Sequence, residues 1–325
     1  MEGKTTQLDA KDRKILHELQ KGCRRPLGEI ARAVGVSKQA LHYRVGRLQS
    51  RGVIASFITL VDFSRLGYVN HEAWLQLAQA PKEKKEAFIS SLAGNKDVRL
   101  VVHCGGKFDL LIGILAENTA QFMAIFQSIL RAHIGIVKNY KFSISPEFIS
   151  YPKTHLAGGN ERKKEFSIKG EPMRVFVDET ERKLLSLLAC NARMPTLMLA
   201  KKAGVSPATV RAKVKRLEKE GIIRGYSAFI PHKAAGFENY EILATLRGMD
   251  EKKEAELEEY CRSHPYSTYL LKCIGRWDID IGFDAKDSAH FQEILGDFRN
   301  RFGGIIDDYD YSPIIEWRKF TYCPF

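Results

Sequence analysis

Ser37–Leu48, SKQALHYRVGRL, is the stretch whose reading decides the fold, and it occurs twice: Ser206–Leu217 reads SPATVRAKVKRL. Both copies follow Gly-Val (Gly35-Val36, Gly204-Val205) and run on to Gly-aliphatic-Ile (Gly52-Val53-Ile54, Gly221-Ile222-Ile223). Ser37 and Ser206 are helix N-cap candidates, because a serine hydroxyl accepts a hydrogen bond from an otherwise unpaired first-turn N–H. Leu41, Val45 and Leu48, like Val210, Val214 and Leu217, recur at i, i+4 and i+7 and form one apolar stripe per helix. The other face is polar and basic: Lys38, Gln39, His42 and Arg47 in the first copy, Arg211, Lys215 and Arg216 in the second. A short helix with a buried stripe and a basic outer face is what a helix-turn-helix lays into the major groove.

The charge is localised in the same places. Of a formal net charge of +12, residues 8–54 carry 11 Lys and Arg against 4 Asp and Glu, and residues 177–223 carry 10 against 5. The rest of the chain is balanced, 30 against 30. An excess confined to two helix-turn-helix candidates points to a polyanionic partner, nucleic acid before membrane. No run of about 18 apolar residues is present, and MEGKTTQLDAKD lacks the apolar core of a signal peptide, so the expectation is a cytosolic protein. The six cysteines contain no C-x-x-C pair, which argues against a metal finger, and a disulfide framework is not expected in the cytosol. Cys104 and Cys273 stand at equivalent repeat positions; the plain reading is a small buried hydrophobe on a strand.

The repeat extends far beyond the helix. An offset of 169 pairs Asp9 with Asp178, Pro26 with Pro195, Gly67 with Gly236, Cys104 with Cys273, Asp109 with Asp278, Tyr140 with Tyr309 and Glu147 with Glu316. A period this long marks a duplicated two-domain unit, since solenoid repeats run to about 20–50 residues. Each unit opens with three helical patterns and a strand, VIASFITLVD at 53–62 in the first, the makings of a winged helix-turn-helix. After Gly67 the pattern reads strand (73–78), helix (82–94), strand (97–104), GGKF turn, strand (109–116), helix (118–133), strand (137–145). That βαββαβ order is ferredoxin-like. The fold class expected is α+β, with two winged helix-turn-helix domains (1–66 and 177–235) alternating with two ferredoxin-like domains (67–150 and 236–325). Residues 151–176 lack periodicity, hold Gly158-Gly159 and Pro172, and read as a linker able to span up to about 90 Å.

LDAKDRKIL…GEIARAVGVSKQALHYRVGRLQSRGVI and VDETERKLL…MLAKKAGVSPATVRAKVKRLEKEGIIRGY, with the glycine turns GGKFD and IGRWD inside the βαββαβ units, resemble the leucine-responsive and asparagine-synthesis regulator (Lrp/AsnC) family. The resemblance covers the chain apart from the linker. It implies a transcriptional regulator that binds double-stranded DNA through the winged helix-turn-helix and oligomerises through the ferredoxin-like domain. It also implies an amino acid or related effector bound near the glycine turn at subunit interfaces. The departure is the fusion of two units in one chain, so oligomer number and a palindromic operator do not carry over; a homo-oligomer or an intrachain pseudo-dimer is expected.

The resemblance and the helix geometry together give DNA-binding candidates Ser37, Lys38, Gln39, His42, Tyr43, Arg44 and Arg47, then Ser206, Thr209, Arg211, Lys213, Lys215 and Arg216. Gln39 suits a bidentate contact with adenine and Lys38 one with guanine. Arg44, Arg47, Lys213 and Arg216 are read as phosphate contacts or as groups packed within the domain. Pro207, Ala208 and Ala212 replace Lys38, Gln39 and Tyr43 in copy two, which leaves it the weaker reader. Effector candidates are Gly106, Phe108 and Asp109, with Gly275, Trp277, Asp278 and Asp280; for the glycines and aspartates ordinary turn chemistry competes with ligand contact. DIDIGFDA alternates apolar and acidic, whereas DLLIGILA is apolar on both faces and asks for a partner sheet.

No enzymatic activity, cofactor or metal is expected. Siroheme decarboxylases also look like Lrp/AsnC proteins and share a His-Asn-Tyr-rich strand where this chain has VVHCGGKFDLLIG and LKCIGRWDIDIG. His103 alone does not rebuild that pattern, and no other catalytic constellation of paired acids, Ser/His or metal ligands is visible in the sequence. A sensing scaffold without DNA binding is the other alternative, and the localised charge argues against it.

Overall fold

The computed structural model describes residues 8–159, 165–169 and 174–325. Helices α1 (Ala10–Gly22), α2 (Leu27–Val34) and α3 (Lys38–Ser50) form the first helix-turn-helix, followed by strand β1 (Ser56–Val61). Ser37 Oγ accepts from the Ala40 N–H at 3.1 Å, capping α3 as its position predicts. Gly35 ends α2 at φ 73°, and Gly204 ends the matching helix at φ 74°, a left-handed turn that a side chain would strain. The stripe of Leu41, Val45 and Leu48 is buried against Ile15, Leu16, Leu19 and Ile30.

The first sheet domain comprises β2 (Val69–Leu77), α4 (Lys82–Gly94), β3 (Val98–Cys104), β4 (Leu110–Ala116), α5 (Thr119–Ala132) and β5 (Val137–Ser150). A short strand β6 (Phe166–Ile168) pairs with the end of β5. The second unit repeats the plan with α6 (Glu179–Cys190), α7 (Thr196–Ala203), α8 (Pro207–Lys219), β7 (Ile223–Phe229), β8 (Glu238–Leu246), α9 (Glu251–Ser263), β9 (Ser267–Gly275), β10 (Ile279–Ala285), α10 (Ser288–Phe302) and β11 (Ile306–Phe320). Ser206 caps α8 through the Thr209 N–H at 3.0 Å, and Pro207 sits in the first turn, where its missing N–H costs nothing.

Two joins fuse the halves. The first is a ribbon: β1 pairs antiparallel with β7, Ser56 opposite Phe229 and Leu60 opposite Gly225. The strand that follows each recognition helix is therefore bonded to its counterpart in the other copy. Thr59 Oγ1 donates to the Leu188 carbonyl at 2.8 Å, and Cys23 N–H donates to the Tyr226 carbonyl at 3.0 Å, so each head also grips the other's ribbon strand.

The second join is a ring. Each sheet domain contributes four antiparallel strands, ordered β3-β4-β2-β5 and β9-β10-β8-β11. The long strands cross over: β5 leaves β2 to pair with β9, Ser150 opposite Tyr269, and β11 leaves β8 to pair with β3, Phe320 opposite Leu100. Eight strands close into one ring, which removes the exposed edges that a lone four-stranded sheet would carry. The apolar second face of DLLIGILA thus finds its partner sheet in the other half of the same chain. Outside the ring, α4 and α5 cover Ala73, Leu75, Ile112 and Ile114, while α9 and α10 cover Ile242, Ile279, Ile281 and Phe283. Inside, Trp74, Phe108, Leu111, Leu243 and Trp277 form a separate apolar cluster.

The segment read as a linker, 151–176, carries structure of its own. Residues 160–164 and 170–173 lie outside the described residues, and of the remainder part is packed while Ala157, Lys169, Arg174 and Phe176 are exposed. Tyr151, Thr154, Leu156, Phe166 and Ile168 are buried, and Phe166 and Ile168 extend the sheet. Isolated apolar residues without a period gave no strand or helix signal.

Gly282 makes room inside the ring. A Cβ there would stand 2.3 Å from Tyr269 Cε1 and 2.6 Å from Thr268 Oγ1. Gly282→Ala is expected to cost about 1–3 kcal/mol in urea unfolding, as overpacking does. Gly46→Ala on the exposed face of α3, where a Cβ meets nothing within 4 Å, should leave the midpoint unchanged or raise it. Equal midpoints for wild type and Gly282→Ala would show that Tyr269 is not pinned.

Candidate functional site

On α3, Lys38, Gln39, His42 and Tyr43 are exposed, Tyr43 at 70% of its surface. On α8, Arg211, Lys215 and Arg216 are exposed. Arg44 and Arg47 of α3, and Lys213 and the exposed Arg216 of α8, pair with carboxylates at the starts of α1 and α6. Arg44 Nη1 lies 2.7 Å from Asp9 Oδ2 and 2.8 Å from Asp12 Oδ1, and Arg47 Nη2 lies 2.6 Å from Asp12 Oδ2. In copy two Lys213 pairs with Asp178, and Arg216 Nη1 lies 2.6 Å from Glu181 Oε1. The Arg44 guanidinium holds the Asp9 carboxyl below its ordinary range, and Lys213 does the same for Asp178. Of the two roles read for Arg44, Arg47, Lys213 and Arg216, packing within the domain is the one these contacts describe. They fix each recognition helix on its neighbour. Ser37 and Ser206 are spent on caps, and Thr209 Oγ1 lies 2.9 Å from Ser206 Oγ.

The glycine turns sit at the ring's seams. Gly106 adopts φ 84° and Gly275 φ 139°. Asp109 Oδ2 accepts from the Leu77 N–H at 2.7 Å, and Asp278 Oδ2 accepts from the Leu246 N–H at 2.6 Å, so both carboxylates close strand ends. Phe108 and Trp277 are buried with ring centroids 5.8 Å apart. Gly105 N–H donates to the Pro313 carbonyl at 2.8 Å, and Arg276 N–H to the Phe142 carbonyl at 3.1 Å, so each turn docks on the other half's long strand. Asp280 alone of the seven candidates faces a buried polar cluster, accepting from Tyr269 OH at 3.2 Å.

Most of that cluster was not foreseen. Within the ring, Asn70, Glu72, Arg99, Asn239, Glu241, Asp280 and Asp284 are at most 5% exposed. Arg99 Nε donates to Asn70 Oδ1 at 2.6 Å and Arg99 Nη2 lies 3.5 Å from Glu72 Oε1; Asn70 Nδ2 donates to Glu72 Oε1 at 3.0 Å. Burial pushes the Glu241 carboxyl up to about 8, and burial with Glu241 and Glu72 nearby raises Asp280 well above its ordinary value. Asp284 behaves oppositely. Burial alone would raise it, but Lys153 and His155 converge on its Oδ2, His155 Nε2 at 3.2 Å, while Asn239 Nδ2 donates to Oδ1 at 3.0 Å. Its carboxyl is held well below the usual range. One signal could have found the cluster: Asn-x-Glu recurs at 70–72 and 239–241, two polar residues on the inward face of an otherwise apolar strand in both copies.

A helix-turn-helix with a basic outer face, joined to a ferredoxin-like sheet domain and present twice, defines a class of DNA-binding chain. Residues 8–49 match the AsnC-type helix-turn-helix domain and residues 177–224 a winged helix-turn-helix DNA-binding domain. The HTH-type transcriptional regulator LrpA of Pyrococcus horikoshii is 30% identical over 132 residues, covering 91% of that protein and 40% of this chain. The proline dehydrogenase transcriptional activator of Rhodobacter capsulatus is 29% identical over 140 residues, covering 90% of that protein and 42% of this chain. The chain belongs to the Lrp/AsnC family of helix-turn-helix transcriptional regulators, as a tandem of two units. Over its full length the fold is like that of the siroheme decarboxylase NirDL, with TM-score 0.62 and 14% identity, covering 97% of this chain and 94% of that one. Among the described residues no helix is long and apolar enough to cross a membrane.

Proposed function

We propose that this protein is a cytoplasmic, sequence-specific regulator of transcription that reads double-stranded DNA with two unlike heads and answers to a small-molecule effector. It acts without catalysis, and the intrachain pseudo-dimer is its functional unit. The observation that carries this reading is the pair of exposed basic faces on α3 and α8, each held by acids from its own domain and tied to the other through the β1–β7 ribbon. Lys38, Gln39, His42 and Tyr43 are the base-reading set, and Arg211 and Lys215 are the sparser set of copy two. The amino-acid effector class rests on the family resemblance. The turns do not support it directly, because Asp109 and Asp278 are bonded to strand amides.

Lys38→Ala is expected to cost about 1–3 kcal/mol on the preferred duplex and to relax preference at one base pair. Arg211→Ala should cost less sequence preference than Lys38→Ala, as the sparser reader of copy two. Fluorescence anisotropy against randomised sites reads both; equal losses of sequence preference would remove the division of labour. Failure to bind any duplex at low ionic strength would remove the regulator reading itself.

A second reading, a siroheme decarboxylase-like enzyme, draws on the full-length likeness of fold. Siroheme carries eight carboxylates, and the buried acids Glu72, Glu241 and Asp280 weigh toward the regulator, against the cations Lys21, Arg99, Lys153 and Arg224 that line the cavity. Carbon dioxide release on incubation with siroheme is the assay that would reverse that preference.

A further inference from the structure

Among the described residues one group brings three metal-type donors within 4.8 Å, Glu147, Glu254 and Glu258. The Lys272 ammonium occupies it, 3.1 Å from Glu147 and 2.8 Å from Glu258. A larger feature lies at the centre of the molecule. A cavity of about 340 Å³ separates the β1–β7 ribbon from the mouth of the ring. That is the size of a small-ligand pocket.

We propose that this cavity binds a small organic cation, an amine with an apolar body, received at its inner end by Glu241 and Glu72. The walls include Phe229 of the ribbon and Trp317 of the ring, and the buried lining includes Glu72 and Glu241 with Arg99. Glu241 and Glu72 are each 1% exposed, and the Oε2 atom of each is enclosed with no hydrogen-bond partner in the protein. Both nitrogens of His232, which also lines the cavity and is 3% exposed, are likewise unmatched. Buried polar atoms in this state are costly unless something answers them.

Charge selects the class of ligand. At the cavity's inner end Glu72 and Glu241, with Asp280 behind them, have Arg99 as the one buried cation beside them among the described residues; of the other cations in the lining, Lys21 and Arg224 are exposed and Lys21 pairs with Glu18. The Lys153 ammonium at the rim is engaged by Asp284. An incoming ammonium offsets the acid surplus, whereas a carboxylate would add to it. Burial lowers His232 to about 4, so its neutral ring accepts a hydrogen bond from the same ammonium. A metal ion is the poorer fit, because these donors do not come within 4.8 Å as a set of three.

Position gives the site its consequence. β1 and β7 follow the recognition helices α3 and α8 directly, and Ile58, Leu60, Tyr226 and Phe229 of these strands line the cavity. An occupant bridging ribbon and ring biases how the two heads are held. That coupling rests on the regulator reading above; the binding site does not.

The test is calorimetry and thermal melting of the full chain with phenethylamine and isopentylamine, against phenylacetate and L-phenylalanine. Either amine should bind and raise Tm. Affinity should rise about tenfold per pH unit between pH 6 and 8 as ammonium displaces the Glu241 proton. The groups that face Glu241 are Glu72, Cys104, Tyr269 and Asp280 inside the ring, and Lys21, Arg99, Lys153, Glu165, Arg224 and His232 line the same cavity. Glu241→Gln should keep a cooperative melt and lose at least tenfold in amine affinity. Absence of binding by both amines at millimolar concentration, undiminished binding by Glu241→Gln, or binding of phenylacetate or L-phenylalanine as tight as that of the amines overturns the proposal. A chain that binds the amines but no duplex refutes the regulator reading and leaves the site standing.

Discussion

Asp284→Ala is expected to destabilise the protein by about 3–5 kcal/mol, because it removes the carboxylate that pairs directly with the largely buried Lys153 ammonium. Asp284 is fully buried and Lys153 is 14% exposed at its side chain, so solvent offers little relief. Asn239 and His155 lose a partner in the same step. The matching position of copy one is Leu115, whose strand has no such anchor to hold. Asp284→Leu combined with Lys153→Met should therefore recover a large part of the loss. Urea unfolding at pH 7 checks both variants. A loss below about 1 kcal/mol for the single variant would show that the 153–155 segment is not anchored here. The wild-type contribution has a definite sign in pH. The folded carboxyl lies below its unfolded value, so the stabilisation is present above the ordinary carboxylate range and is lost as pH falls through the folded value.

Glu241→Gln should act in the opposite direction. The folded carboxyl is raised to about 8 from an ordinary 4.5, so the folded protein holds a proton that the unfolded chain has released. Stability then falls as pH rises from about 4.5 to 8, by an amount on the order of a few kcal/mol. Glutamine removes the titration, flattens that decline and leaves the variant more stable than wild type at pH 8. Glu72 and Asp280, raised by the same burial, keep part of the slope in the variant. Chemical denaturation at pH 5, 6.5 and 8 reads the difference. A variant whose slope matches wild type would show that Glu241 is ionised in the folded protein.

Local structure was legible where periodicity and caps agree. The α4 range of 82–94 is the one its sequence suggests, and the caps at Ser37 and Ser206 hold. The apolar face of DLLIGILA announced a partner sheet. What the sequence could not announce was its identity, since pairing between β5 and β9 or between β1 and β7 joins segments over a hundred residues apart. Expecting a wing at 53–62 was right about the strand and silent about its partner. The glycine turns drew attention to Asp109 and Asp278 because Gly-Asp hairpins are conspicuous, yet their carboxylates serve backbone amides. Taken singly, Glu72 and Glu241 give no sequence signal, because a lone acid in an apolar strand looks like a solvent-facing exception until the ring closes over it.

Closure of the ring from two unlike halves changes what inheritance can do to this molecule. In an assembly of identical chains every substitution is written on both sides of the axis, and a damaging change is doubled. Here Leu111 and Asp280, or Leu115 and Asp284, answer the same address with different chemistry because each is encoded once. One half is therefore at liberty to specialise while its sibling preserves the original duty, and no exchange of subunits can undo the distinction.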